Sequence, residues 1–177
     1  MADTQTNTWE MIATERRRLA DELDQLTPEQ WATQTQCEAW DVRDAAAHII
    51  SPFGMGFTTF LGAMIGSGFN LNKMSIKRTA EVAEGMTNEQ IVQTLRAEAE
   101  NQWSPPVPGI GAEIPLSEIV VHGQDIRRPL GLECTVPQET IDFCLSSIKN
   151  DKAREDFRTG SAETDPKRGA GVDIKST

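Results

Sequence analysis

The chain has 177 residues, with 27 acidic against 17 basic side chains and a formal charge of −10. That length suits one compact domain, and the acidic balance argues against nucleic acid or an anionic membrane as partner. The N-terminal run has no apolar h-region, the longest apolar stretch (45–65) is broken by His48, Pro52 and several glycines, and Cys37, Cys134 and Cys144 lack paired spacing, so we expect a cytoplasmic protein with reduced thiols and no membrane span.

Trp9, Ile12, Leu19, Leu23 and Leu26 recur at three–four spacing and predict a first helix from about Trp9 to Leu26. Arg16 interrupts that stripe. Either it snorkels at the edge of the stripe, or it points a cation inward where an anionic cofactor would need one. Thr27-Pro28-Glu29-Gln30 is a capping box with proline at the first helical position, so a short helix follows and Trp31 turns to the core. Asp41 caps the next helix. Its stripe of Val42, Ala46, Ile49, Phe53, Phe57, Phe60 and Met64 predicts one long helix bent at Pro52.

Residues 66–74 read as a loop, and 76–85 as one or two helical turns. Thr87-Asn88-Glu89-Gln90 is a second capping box, opening a helix that turns Ile91, Leu95, Ala99 and Trp103 inward. Four prolines and two glycines from Ser104 to Pro115 predict an irregular excursion. A helix from near Leu116 should stop before Pro129, because the residue ahead of proline avoids helical backbone. Val136-Pro137-Gln138-Glu139 opens a last helix to about Lys149, with Ile141, Leu145 and Ile148 inward. No window alternates with period two long enough for a sheet. The expected fold class is all-α, a four-helix bundle with short connecting helices, followed over 159–177 by a polar, disordered tail.

The chain has two histidines, both in helical segments. Glu118 and His122 are four apart and leave one face of a helix; His48, on an earlier helix, can add a third ligand. Two nitrogens and one oxygen, with a position left open, is the ligand set of a catalytic zinc site. A solvated Glu-x-x-x-His pair is the alternative. On an ideal wheel Glu118, His122 and Asp125 span an arc of about 60°. Asp125, with Gln124 beside it, is placed to accept the other ring N–H of a metal-bound imidazole, or else to pair with Arg128 at the surface. Ala45, Ala46, Ala47 and Gly123 leave space around the histidines. Arg127 and Arg128 suit the negative end of a helix dipole, with an anion clamp as the other reading.

Four runs now stand in one order: Glu15 to Ala20, Leu26 to Trp31, Cys37 to His48 and Glu118 to Gly131. Together they resemble the maleylpyruvate isomerase family, the actinobacterial branch of the DinB/YfiT-like bundles, over residues 8–150. Trp-Asp-Val-Arg-Asp-x-x-x-His and Glu-x-x-x-His-Gly-x-Asp-x-Arg-Arg-Pro carry the resemblance most specifically. It implies a DinB-like bundle with one divalent metal, usually zinc, on His48, Glu118 and His122. It also implies mycothiol as the low-molecular-weight thiol, added to or transferred onto a small electrophile. The isomerases of this family carry a further C-terminal domain supplying an arginine, which the stretch after Thr159 does not resemble. The expected function is therefore that of a metal-binding, mycothiol-dependent transferase or isomerase. The alternatives are a non-catalytic ligand-binding bundle and a metal-dependent hydrolase working with bound water.

Overall fold

In the computed structural model, residues 2–106 and 111–149 are described, and side chains from residue 7 onward and up to residue 145. Helix α1 spans Ala2–Leu23, α2 Pro28–Trp31, α3 Val42–Ile50 and α4 Phe57–Gly66. They are followed by α5 at Leu71–Gly85, α6 at Asn88–Ala97, α7 at Glu113–Leu130 and α8 at Gln138–Lys149. No strand occurs among the described residues; a single bridge joins Gln34 to Asp41. The expected all-α bundle is present. Helices α1, α3, α6 and α7 close on one core of Ile12, Leu19, Leu23, Val42, Ile50, Ile91, Leu95, Leu116, Ile119 and Ile126, and α5 lies along α3. The tail expected at 159–177 lies outside the described residues.

Helix starts follow the capping chemistry closely. Thr27 accepts from the Gln30 amide and Thr87 from the Gln90 amide, each box closed by the glutamine side chain, and Asp41 accepts from the Asp44 amide at 2.9 Å. Thr87→Ala removes one amide partner from α6 and should destabilise the protein by about 1 kcal/mol. At roughly 2–4 °C per kcal/mol for a domain of this size, a thermal melt resolves that change. An unchanged midpoint would mean that solvent replaces the cap.

Helix stops were less legible. Pro52 does not bend a long helix but ends one. The His48 carbonyl is taken by the Ser51 hydroxyl at 2.9 Å, and the chain then turns through Gly54 at φ 72° before α4 begins. The apolar stripe therefore divides. Phe53 packs on the main core, while Phe60 joins a smaller cluster with Met55 and Met74, and Phe57 is exposed.

The expected loop at 66–74 is instead a short turn followed by the four turns of α5, capped by Asn70, which accepts from the Lys73 amide. The buried face of α5 is Met74, Thr79 and Ala83. That face is small and half-polar, so it left almost no apolar period to read. Helix α6 stops at Ala97, and Trp103 reaches inward from the following segment, its Nε1 donating to the Met55 carbonyl at 2.7 Å.

Helix α7 begins earlier than expected and runs past Pro129. Pro115 sits in its first turn, where an amide has no helical partner to lose. Pro129 sits in its last turn and leaves the Asp125 carbonyl without its usual donor; the Gln36 amide takes it at 3.4 Å. Gly131, at φ 66°, then closes the helix, with the Leu132 amide donating to the Arg127 carbonyl at 3.0 Å. In α8, Thr140 is buried and Phe143 and Cys144 pack on the core. Leu145 is exposed rather than inward, and the Ile148 side chain lies outside the described residues.

Candidate metal centre

Helices α3 and α7 bring His48, Glu118 and His122 together. Glu118 Oε2 is 2.8 Å from His48 Nε2 and 3.3 Å from His122 Nε2, and one potential ligand atom from each residue lies within 4.8 Å of the other two. His48 thus joins the Glu118–His122 pair from a second helix. The two imidazoles are largely buried, while Glu118 keeps 49% of its side-chain surface and forms the open side of the trio.

The second nitrogen of each ring also has a partner. His122 Nδ1 lies 3.1 Å from Asp125 Oδ2, so Asp125 meets the histidine, while Arg128 turns to Gln36 Oε1 at 3.2 Å instead. His48 Nδ1 lies 3.2 Å from Ser75 Oγ and 3.3 Å from Thr79 Oγ1, both on α5. Trp40 stacks on His48 at 4.4 Å between ring centroids and meets His122 edge-on at 5.4 Å. Trp40, Ser75 and Thr79 escaped the reading of the sequence. Trp40 stands in the quoted motif beside Asp41, but Ser75 and Thr79 could be found only by first recognising α5.

Electrostatics couple the trio. Burial works to raise the Glu118 pKa, but hydrogen bonds from His122 and His48 outweigh it and hold this carboxyl well below the usual carboxylate range. Burial likewise works to lower the His122 pKa. Hydrogen bonds to Asp125 and Glu118 win and push it up to about 9. His122 thus lies between the carboxyl groups of Glu118 and Asp125.

Arg16 and Arg127 both turn inward, while Arg128 stays at the surface. Arg16 is buried rather than snorkelling, and its Nη1 donates to the carbonyls of Asn101 at 2.6 Å and Ala99 at 3.2 Å, just past the end of α6. Its guanidinium also lies 4.7 Å from the Phe53 ring centroid. Burial lowers its pKa to about 10, against the pull of Glu98, so it remains a cation at neutral pH.

Arg127 is 0% exposed. Its Nε donates to Glu22 Oε2 at 2.7 Å and its Nη2 to Glu15 Oε2 at 3.3 Å, joining α7 to α1. The space at Gly123 serves this arginine rather than the histidines, since a Cβ there would stand 3.0 Å from Arg127 Nη1.

Residues 12–127 match the family model described as the mycothiol maleylpyruvate isomerase N-terminal domain. The chain belongs to this family. The matched stretch runs from the middle of α1 through most of α7, and with them the whole His–Glu–His trio, Asp125 and the Arg127 network. No curated protein and no solved structure matches the chain. Membership of the mycothiol maleylpyruvate isomerase family thus rests on the domain that carries the site. Among the described residues, no helix is long and apolar enough to cross a membrane.

Proposed function

We propose that His48, Glu118 and His122 hold one divalent ion, zinc by preference, and that the domain uses it with mycothiol or a similar thiol against a small electrophile. The observation that supports this most is the convergence of two imidazole nitrogens and a carboxylate oxygen within 4.8 Å of one another, with the remaining nitrogen of each ring held by its own partner. Two imidazoles suit zinc better than magnesium or calcium, which take oxygen ligands. An ion with three protein ligands leaves a position open, where it would lower the pKa of a thiol or water and polarise a carbonyl.

The residues around the trio prepare it for this use. Asp125 accepts the Nδ1 proton of His122 and leaves Nε2 to face Glu118. Ser75 and Thr79 can accept from His48 Nδ1 in the same way. Trp40 covers both rings on one side, so a thiol or electrophile approaches from the open side at Glu118. Arg16 takes an anionic portion of the thiol in this reading only if its Nη1 leaves the carbonyls of Ala99 and Asn101. We place the protein in the cytoplasm, where its three unbridged cysteines stay reduced.

The test is zinc-loaded protein supplied with mycothiol and an activated α,β-unsaturated carbonyl. Conjugation should be faster than without protein, and a chelator should abolish the gain. Arg16→Ala with unaltered thiol dependence would assign Arg16 to packing alone. Zinc binding without any effect of the thiol would defeat the catalytic half of the proposal and leave a ligand-binding bundle. Turnover of an ester or amide without thiol would favour the hydrolase.

A further inference from the structure

Helix α5 carries the two hydroxyls that meet His48 Nδ1, Ser75 at 3.2 Å and Thr79 at 3.3 Å. Both contacts lie at the long end of hydrogen bonding, so a small slide of α5 along α3 would lose them. The apolar face of α5 is a weak brake on such a slide. Met74 goes to the separate cluster with Met55 and Phe60, and toward the main core the helix presents Ala83 and the half-buried Val82.

A second polar contact stands one turn further along. Arg43 Nη2 donates to the Ala83 carbonyl at 2.7 Å and to the Met86 carbonyl at 2.6 Å, and its Nη1 donates to Asn88 Oδ1 at 2.8 Å. These are short, charge-assisted bonds. Ala83 lies in the last turn of α5, where carbonyls have no helical amide to take them. The helix brings no basic residue of its own to that turn, and its cap residue Met86 has extended backbone. Arg43 thus closes α5 from α3, as a cation at the negative end of the helix. Arg43 and His48 are five residues apart on α3, while their partners Ala83 and Thr79 are four apart on α5 in the opposite chain sense. The two helices therefore run antiparallel and are joined at points roughly 7 Å apart along their axes.

We propose that Arg43 is a positioning residue for His48: it fixes α5 against α3 at the register that brings Ser75 and Thr79 to Nδ1. It bears on the candidate metal centre from a distance, through α5. Its effect on metal binding rests on the reading of the trio as a metal centre, whereas its effect on the His48 ring does not. A residue that merely ended α5 would change the stability of that helix and leave the ring where it is.

Four full-length chains test this: the natural sequence, Arg43→Ala, the pair Ser75→Ala/Thr79→Val, and the triple variant. Zinc affinity is read by competition with a chromogenic chelator. The His48 ring is read by its proton resonances, which are simple to assign in a chain with two histidines. Arg43→Ala should weaken zinc binding by about tenfold, the lower end of what losing an orienting partner costs, and should shift the His48 resonances. In the chain without the two hydroxyls it should do neither, because the contact it serves is already gone. Should Arg43→Ala melt below the assay temperature, Arg43→Lys takes its place, with a smaller loss and the same dependence on the hydroxyls. An equal loss in both backgrounds, or His48 resonances unmoved by the substitution, overturns the proposal and leaves Arg43 as a helix stop. A natural chain that takes up no zinc defeats the metal centre alone, and the resonances then decide the role of Arg43.

Discussion

His122→Ala should weaken zinc binding at the proposed site by more than the roughly 10- to 100-fold that losing a ligand's orienting partner costs. Isothermal titration at neutral pH reads this directly. Asp125→Asn should cost about 10- to 100-fold, because His122 would lose the carboxylate that orients its ring. Protons provide an independent check. The folded pKa of His122 is raised to about 9, so its imidazolium stabilises the metal-free protein fully below the unfolded histidine value, and that contribution is lost as pH rises through about 9. Zinc needs the neutral ring, so binding near pH 7.5 must release a proton, and the apparent affinity should climb by about tenfold per pH unit until the His122 pKa is passed. Stoichiometric zinc in a His48→Ala/His122→Ala double variant would place the ion elsewhere.

Arg127→Ala should destabilise the bundle strongly. It leaves Glu15, which is buried, and Glu22, which is partly so, without the cation that joins α7 to α1. Removing one member of a buried ion pair typically destabilises by 3–5 kcal/mol, so we expect about 3 kcal/mol here and a fall of roughly 6–12 °C in melting temperature. The lower figure applies because Arg18 remains 3.8 Å from Glu15 and 3.0 Å from Glu22. Arg127→Met combined with Glu15→Gln should be milder than Arg127→Ala alone, since no buried charge is then stranded at position 15. A melting temperature unmoved by Arg127→Ala would show that the guanidinium merely fills space.

The two longest motifs show how much of the site was legible and where legibility ended. In Trp40-Asp41-Val42-Arg43-Asp44, the cap at Asp41 and the core position at Val42 follow from local rules. Arg43 does not, because it clamps the α5–α6 turn through the carbonyls of Ala83 and Met86 and through Asn88 Oδ1. Those partners lie some forty positions on, and no local pattern points to them. In the second motif, Glu118 and His122 are a helical pair visible from spacing, and Asp125 follows from the wheel. Arg127 looked like a residue at a helix end because its charge suited the dipole there. Only the packing of α7 on α1 turns it inward to Glu15 and Glu22. Proline was read too strictly at Pro129, where a donor from another segment replaced the missing amide, and too leniently at Pro52, where nearby glycines allowed a full stop. Helix α5 was read only in part, as one or two turns over 76–85, because its buried face of Met74, Thr79 and Ala83 lacks the large apolar side chains from which amphipathic periods are recognised.

Glu118 and His122 are neighbours on one helix, but His48 and Glu118 are 70 positions apart along the chain. Two of the three site residues are therefore in register as soon as α7 winds. The third arrives only after a long loop has closed and α3 has docked, a step whose entropy is lost before its contacts form. The complete trio therefore forms only where α3 docks on α7, so a change that loosens that contact disperses the candidate site without touching any of its three residues.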